Sequence, residues 1–416
     1  MPCILLLGTC DTKLNEFVFM KQQLVAKGGN IKVLLVDVGR TPSTDPAIDI
    51  SSSEVLSNLP EIERPSIESF SRGEVITLMI KACTILVRNL YYSKSIHGIV
   101  SLGGSGGTSL AASVMRAALP FGLPKLIVST VASGDTRSFI GESDIMMIPS
   151  IVDIAGLNSL LRIVLENAAA AIVAMTKTYF ERTIKQHQGS TSSQKLRIAI
   201  TMFGVTTPGV MAATEHLTSL DHEVFVFHAT GTGGRAMERL ILEGRIDGVL
   251  DLTTTELADE LVGGVMSAGP DRLTAAAKKG IPQIVSVGAL DMVNFGARSS
   301  VPEKFSGRNL VEHNPSITLM RTTEEECEKL GGVLSKRLKS CMDSRKVEMW
   351  VPLRGVSMID EKGAKFYDEE ADKALFDALA KGLSGSGIKL QEKDMTINDP
   401  EFATDMAKRL LEMMAV

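Results

Sequence analysis

Residues His97 to Ala118, HGIVSLGGSGGTSLAASVMRAA, constrain the fold more than any other stretch of the chain. Ile99–Leu102 reads as a short buried strand, Gly103, Gly104, Gly106 and Gly107 as a loop, and Thr108 and Ser109 as the opening of a small-residue helix. Glycines lack a Cβ and let backbone N–H groups come close to a ligand, and a helix N-terminus adds partial positive charge. The run therefore predicts an anion site, with a phosphate cradled by Gly103, Gly104, Ser105, Gly106, Gly107 and Thr108. A tight strand-to-helix turn in a parallel α/β sheet accounts for the same residues without a ligand. No Lys follows the last glycine, so this is not a Walker A loop, and the spacing does not match G-x-G-x-x-G.

The rest of the chain repeats strand and helix in alternation. Ile4–Leu7, Val33–Val38, Ile99–Leu102, Leu126–Ser129 and Asp144–Ile148 read as strands; Asn15–Ala26, Glu74–Leu90 and the alanine-rich Asp153–Tyr179 read as helices. Gln186–Lys195, QHQGSTSSQK, is polar and aperiodic, as a linker is. The alternation then restarts with strands at Leu196–Met202, Val224–His228, Gly248–Leu252, Gln283–Val287, Ile317–Met320 and Glu348–Pro352. The expected fold is α/β: two consecutive Rossmann-like domains with mostly parallel sheets flanked by helices, at 1–182 and 196–416, joined by a linker at 183–195. Right-handed crossovers would bring the C-terminal strand ends of each sheet to one edge, where ligands of open α/β sheets bind. SLGGSGGTSLA in the first half and FHATGTGGRAMERL in the second, each entered from a strand, suggest halves related by duplication.

At 416 residues the chain exceeds the usual limit of one core, which agrees with two or three domains. The net charge of −5 argues against a nucleic-acid surface. No uninterrupted apolar stretch reads as long enough to span a membrane, and Met1-Pro2-Cys3-Ile4 enters a strand with no room for a signal peptide. The five cysteines form no CxxC pair and the six histidines lack metal-ligand spacing, so no protein-held metal is expected. A reduced, cytoplasmic protein is the expectation.

Polar residues gather where strands are expected to end. Gly8, Thr9, Asp11, Thr12 and Lys13 follow the first strand: hydroxyls and Lys13 suit phosphate, and Asp11 suits a ligand hydroxyl or a hydrated cation, although Asp11 or Thr12 could equally cap the next helix. Asp37 ends the second strand, where an acidic residue can bond a ribose. Ser133 and Gly134, within STVASGDT, would extend the same crevice, and Asp153 reads as the N-cap of the long helix. In the second half His228 and Arg235 on one strand-end loop, Glu256 on a second and Asp291 on a third are the catalytic candidates, as a general acid–base set with a carboxylate- or phosphate-clamping arginine. A histidine at a strand end is also an ordinary structural residue, and no G-x-S-x-G elbow accompanies these groups.

VSLGGSGGTSLAA, STVASGDT, TMFGVTTPGV, FHATGTGGRAMERL, LDLTTTELAD and SVGALDMVNFG, in this order, resemble the amino-terminal portion of the tomato mosaic virus resistance protein family and its bacterial and fungal relatives. The resemblance runs from GTCDTK almost to the last residue. It implies two Rossmann-like subdomains, a homodimer, and ATP bound at Gly103–Thr108 with Asp11, Thr12 and Lys13. Mg²⁺ would then be held mainly by phosphate oxygens and water. Two readings follow. One is a nucleotide-binding protein, with an enzymatic site for an unknown small-molecule substrate between the domains. The other is a protein-interaction or inhibitor module with a regulatory nucleotide site, as in the plant member, whose matching portion binds a viral replication protein.

Overall fold

Cys3–Gly8 (β1) is apolar throughout because both of its faces are covered. Leu5 and Leu7 enter one core layer, whereas Ile4 and Leu6 enter another, as the two-residue period of a strand requires. The computed structural model describes residues 1–63, 70–188 and 195–415. The chain divides into two compact units, Met1–Ser192 and Ser193–Val416.

In the first unit β1 is followed by α1 (Cys10–Gly28), β2 (Lys32–Asp37), α2 (Ser52–Leu56), α3 (Arg72–Tyr92), β3 (Gly98–Gly103), α4 (Ser105–Ala118), β4 (Lys125–Ser129), α5 (Arg137–Ile140), β5 (Met146–Pro149) and α6 (Ser159–Gln188). The sheet is parallel with order β2-β1-β3-β4-β5. Helices α3 and α4 pack together over one face and α1 and α6 over the other. Each large aliphatic side chain buried there contributes about 1.5–3 kcal/mol. Ser71 and Glu74 form a reciprocal capping box that fixes the start of α3.

The second unit contains β6 (Arg197–Met202), α7 (Thr207–Ser219), β7 (Glu223–His228), α8 (Thr232–Leu242), β8 (Gly248–Thr253), α9 (Glu256–Val262), α10 (Ala275–Lys279), β9 (Gln283–Gly288), β10 (Met292–Phe295), β11 (Leu310–Asn314), β12 (Ile317–Arg321), α11 (Glu324–Leu338), β13 (Val347–Pro352), α12 (Glu369–Leu383), β14 (Lys389–Lys393) and α13 (Pro400–Met414). Six strands form a parallel sheet of order β14-β13-β9-β8-β6-β7. The other three make a separate antiparallel sheet, β10-β12-β11, inserted between β9 and β13.

The mostly parallel, helix-flanked α/β architecture is the one expected from the sequence, with local differences. The strand at Ile317–Arg321 belongs to the antiparallel insertion rather than to the main sheet. The edge strand β14, KLQEK, lacks the apolar pattern that marks a buried strand. The long helix starts at Ser159, not at Asp153: Asn158 Oδ1 accepts the Leu161 amide at 2.9 Å, while Asp153 bonds the amide of Ile154. Residues 183–188 of the expected linker continue this helix, and 189–194 lie outside the described residues. Arg72–Tyr92 and Ser159–Lys185 are long and apolar enough to cross a membrane by length and composition, although Lys81 and Arg88 in the first and Arg162 and Glu166 in the second interrupt their apolar runs. Each gives part of its apolar surface to the sheet, through Val75, Met79 and Val87 in α3 and Leu161, Leu165 and Ile172 in α6.

Gly8 owes its identity to packing. A Cβ there would stand 1.6 Å from Cζ of the buried Phe17 ring. Gly8→Ala is therefore expected to destabilise the first unit by about 1–3 kcal/mol through overpacking. Adding Phe17→Leu to that variant should recover part of the loss, as read by urea denaturation.

His97 is held by β1: its amide donates to the Cys3 carbonyl at 2.8 Å and its Nδ1 accepts the Cys3 amide at 3.2 Å. Burial first, and then the N-terminal amine, lower its pKa below the usual 6.5. The neutral ring is thus the folded form, and its contribution is complete above the unfolded pKa and lost as pH falls through the folded one. Urea midpoints of the first unit at pH 7.5 and pH 5 should fall further apart in the wild type than in His97→Gln.

Candidate functional site

In a doubly wound sheet the strands on either side of the order reversal send their connections to opposite faces, which opens a crevice at their C-terminal ends. In the first unit the reversal lies between β1 and β3. A cavity of about 510 Å³ occupies that edge, lined by the segment after β1, the exit of β2, the start of α3 and the glycine loop.

The loop places the first turn of α4 against this cavity. Gly104 is the N-cap and no side chain caps the helix, so its leading amides are available to an acceptor. A Cβ on Gly103 would lie 3.4 Å from Gly107 Cα, the closeness that lets the chain turn here. Ser105 is exposed at the cavity wall. Thr108 is buried, and its hydroxyl shares a 2.7 Å hydrogen bond with Ser129 on β4, so the hydroxyl belongs to the sheet rather than to the cavity.

The segment after β1 joins the loop, but several of its groups are engaged. Thr9 and Thr12 hydroxyls lie 3.2 Å apart in the lining. Asp11 Oδ2 accepts the amides of Arg40 and Thr41 at 2.9 and 3.3 Å, which fixes the exit of β2. Lys13, at a non-helical kink in α1, donates to the Ile154 carbonyl. Asp37 does not serve the ribose-binding role read from the sequence. It is fully buried and accepts the amides of Cys10 at 2.9 Å and Gly39 at 2.8 Å, tying the ends of β1 and β2 together. Burial raises its pKa. Ser133 and Gly134 are exposed on the turn after β4 and are not among the lining residues.

Two residues that the sequence reading missed, Arg40 and Arg72, complete the lining. Arg72 Nη2 lies 3.2 Å from where a Cβ on Gly106 would stand, so this guanidinium sits over the loop. Among the described residues, Lys13, Arg40 and Arg72 and the carboxylate of Asp11 line the cavity, and Val38, Val75, Ile76 and Leu110 give it an apolar wall. The available signals were Gly39-Arg40 leaving a strand and Arg72 following the capping serine Ser71. A larger groove of about 700 Å³ at the opposite edge is lined by Tyr91, Tyr92, His97 and Phe180. It meets the last turn of α3, a helix end whose partial charge disfavours anions.

The second unit distributes its four candidates. His228 is exposed at the end of β7, with its ring edge-on to Phe203 at 5.6 Å. Arg235 donates to the Ser267 carbonyl at 2.8 Å. Glu256 is fully buried: Oε1 accepts the Gly231 and Gly234 amides at 2.6 and 3.1 Å, and Oε2 accepts Arg272 Nε at 2.7 Å. Arg272 also forks onto Asp251 with two 2.6 Å bonds and reaches Glu238 at 3.3 Å. Burial alone would lower the pKa of Arg272, but Asp251, then Glu256 and Glu238, hold it well above the usual value.

Asp291 belongs to another buried cluster. Its Oδ2 accepts the Ser357 hydroxyl at 2.8 Å, and burial, offset by Arg321, pushes its pKa up to about 6. Arg321 in turn bonds Asp360 and Asp372 at 3.3 and 2.6 Å. Glu256 and Asp291 thus anchor separate charge networks, and the acid–base set expected from the sequence is not assembled around them.

Comparison with known proteins agrees with this two-unit organisation. The Uncharacterised protein family (UPF0261) N-terminal domain matches residues 2–181 and its C-terminal domain residues 195–414. A UPF0261 protein of Clostridium tetani (strain Massachusetts / E88) is 46% identical over 411 residues, covering 99% of this chain and 98% of its own. The ToMV resistance protein Tm-1(GCR237) of Solanum lycopersicum is 40% identical over 427 residues, covering 99% of this chain but 56% of the tomato protein. Among solved structures, the UDP-GlcNAc 2-epimerase of Methanocaldococcus jannaschii covers 99% of this chain and 100% of its own at 11% identity, with a TM-score of 0.21 that carries no functional weight. Matched along nearly its whole length, the chain belongs to the UPF0261 family.

Proposed function

We propose that the first unit binds ATP at the crevice between β1 and β3, in a cytosolic protein. The observation that carries this reading is the meeting of an uncapped helix N-terminus, a glycine loop and the two arginines Arg40 and Arg72 in one cavity with an apolar wall. The leading amides of α4 would take one phosphate, since they present donors and partial positive charge together. Arg40 and Arg72 would take the others through charge-assisted, forked hydrogen bonds. The apolar wall of Val38, Val75, Ile76 and Leu110 suits a base.

Among the described residues no group of three or more His, Cys, Asp or Glu side chains is placed to hold a metal ion. Mg²⁺ would therefore enter on the phosphates, with Asp11 the carboxylate nearest to hand in the lining. The five cysteines are all free thiols, in keeping with a reducing compartment.

ATP at a hundred times its dissociation constant should stabilise the first unit by about 2.7 kcal/mol, visible as a thermal shift. In Gly104→Val the shift should vanish while the protein still folds. The nearest atom to a Cβ at that position is Thr130 Oγ1 at 3.7 Å, so the added side chain meets the loop and not the core. A normal ATP response from a folded Gly104→Val would remove the nucleotide from this loop.

The arginines make a sharper demand. Arg40→Gln and Arg72→Gln should each weaken ATP by about 10- to 100-fold, the worth of a hydrogen bond to a charged group, and leave AMP nearly unaffected. Calorimetric titration of both nucleotides checks this; equal losses for AMP and ATP would mean that the arginines do not read the additional phosphates.

A further inference from the structure

The second glycine loop, between β7 and α8, has the ingredients of an anion site, and the chain supplies the anion. Gly231 is its N-cap, with φ of +84°, and no side chain of the loop itself caps α8. The Gly231 and Gly234 amides instead converge on Glu256 Oε1, at 2.6 and 3.1 Å. A Cβ on Gly234 would stand 2.1 Å from Glu256 Oε2, so the missing side chain is what admits the carboxylate. Arg272 Nε closes the other side at 2.7 Å. Two backbone donors at a helix N-terminus plus one guanidinium form the donor set of a bound carboxylate or phosphate.

The topology sharpens the comparison with the first unit. Counted within its own sheet, the second unit repeats the strand order 2-1-3-4-5 and adds a sixth strand, with β8 as its third strand, the counterpart of β3. The helix after β3 begins at Ser105, and the helix after β8 begins at Glu256. Where the first unit offers uncapped amides at the start of this helix, the second carries a buried carboxylate directed into the neighbouring loop. The two glycine loops therefore follow non-equivalent strands, the third in one unit and the second in the other, and their short sequence likeness does not mark equivalent positions. Three carboxylates, Asp251, Glu256 and Glu238, surround the single Arg272. The amides of α8, and those of Leu273 and Ala275 on Glu238 at 2.5 and 2.7 Å, meet the excess negative charge.

We infer that the N-terminus of α8 is an anion-binding site filled by the chain's own Glu256, and that it accepts a small free monocarboxylate when that side chain is shortened. This inference stands independently of nucleotide binding by the first unit.

The test is thermal denaturation of the full chain carrying Glu256→Ala, in sodium acetate and in sodium chloride at matched ionic strength. The variant should melt below the wild type in chloride. Acetate should raise its Tm with saturation, while the wild type and Glu256→Gln, whose sites are filled, should respond no more to acetate than to chloride. Should Glu256→Ala collect as insoluble protein, its refolding yield in the two salts gives the same reading, with recovery expected in acetate. An equal response of Glu256→Ala to both salts, or an unchanged Tm in chloride, would overturn the inference.

Discussion

Every parallel strand of the two sheets except β9, which passes into the antiparallel insertion, is followed by a helix, and the first amides of such a helix have no partner within it. What meets those amides sets the character of each unit. At two helix starts of the second unit the acceptors are carboxylates from elsewhere in the chain: Glu256 for α8, and Glu238 for the residues that open α10. In the first unit α4 has no side-chain acceptor, and its leading turn faces a cavity with two arginines. The same backbone requirement is met internally in one case and left to the surroundings in the other.

Charge follows the same division. Around Arg272 the cations are outnumbered and enclosed, as they are around Arg321. Buried pairs of this kind are costly to break on one side, because the remaining charge has no water to turn to. Their presence in the second unit is accordingly a matter of holding loops in place. Around the glycine loop of the first unit, by contrast, Arg40 and Arg72 are exposed to solvent.

The sequence made the fold legible because parallel strands covered on both faces are continuous apolar runs, as in Ile4–Leu7 and Val33–Val36. It made the glycine loop legible because a strand, a turn and a helix start are contiguous. Arg40 and Arg72 were hidden for the opposite reason: they reach the cavity from two other connections, and only tertiary placement joins them. Glu256 and Asp291 were misread because a polar residue after a strand looks the same whether it faces solvent or is enclosed. Burial depends on what packs over it, here Arg272 for one and Ser357 with the Arg321 cluster for the other. Lys389–Lys393 escaped detection because an edge strand need not be apolar.

The short segment after β1 ties together distant parts of the first unit. Asp11 grips the backbone of Arg40 and Thr41 at the exit of β2, and Lys13 grips the Ile154 carbonyl beyond β5, with Glu16 adding the amide of Gly156. These are the loops of the two outermost strands, which share no hydrogen bonds with each other across the sheet. A displacement of this segment is therefore transmitted to both margins of the sheet at once. By reciprocity, a force on either margin is felt at the segment after β1 that lines the crevice.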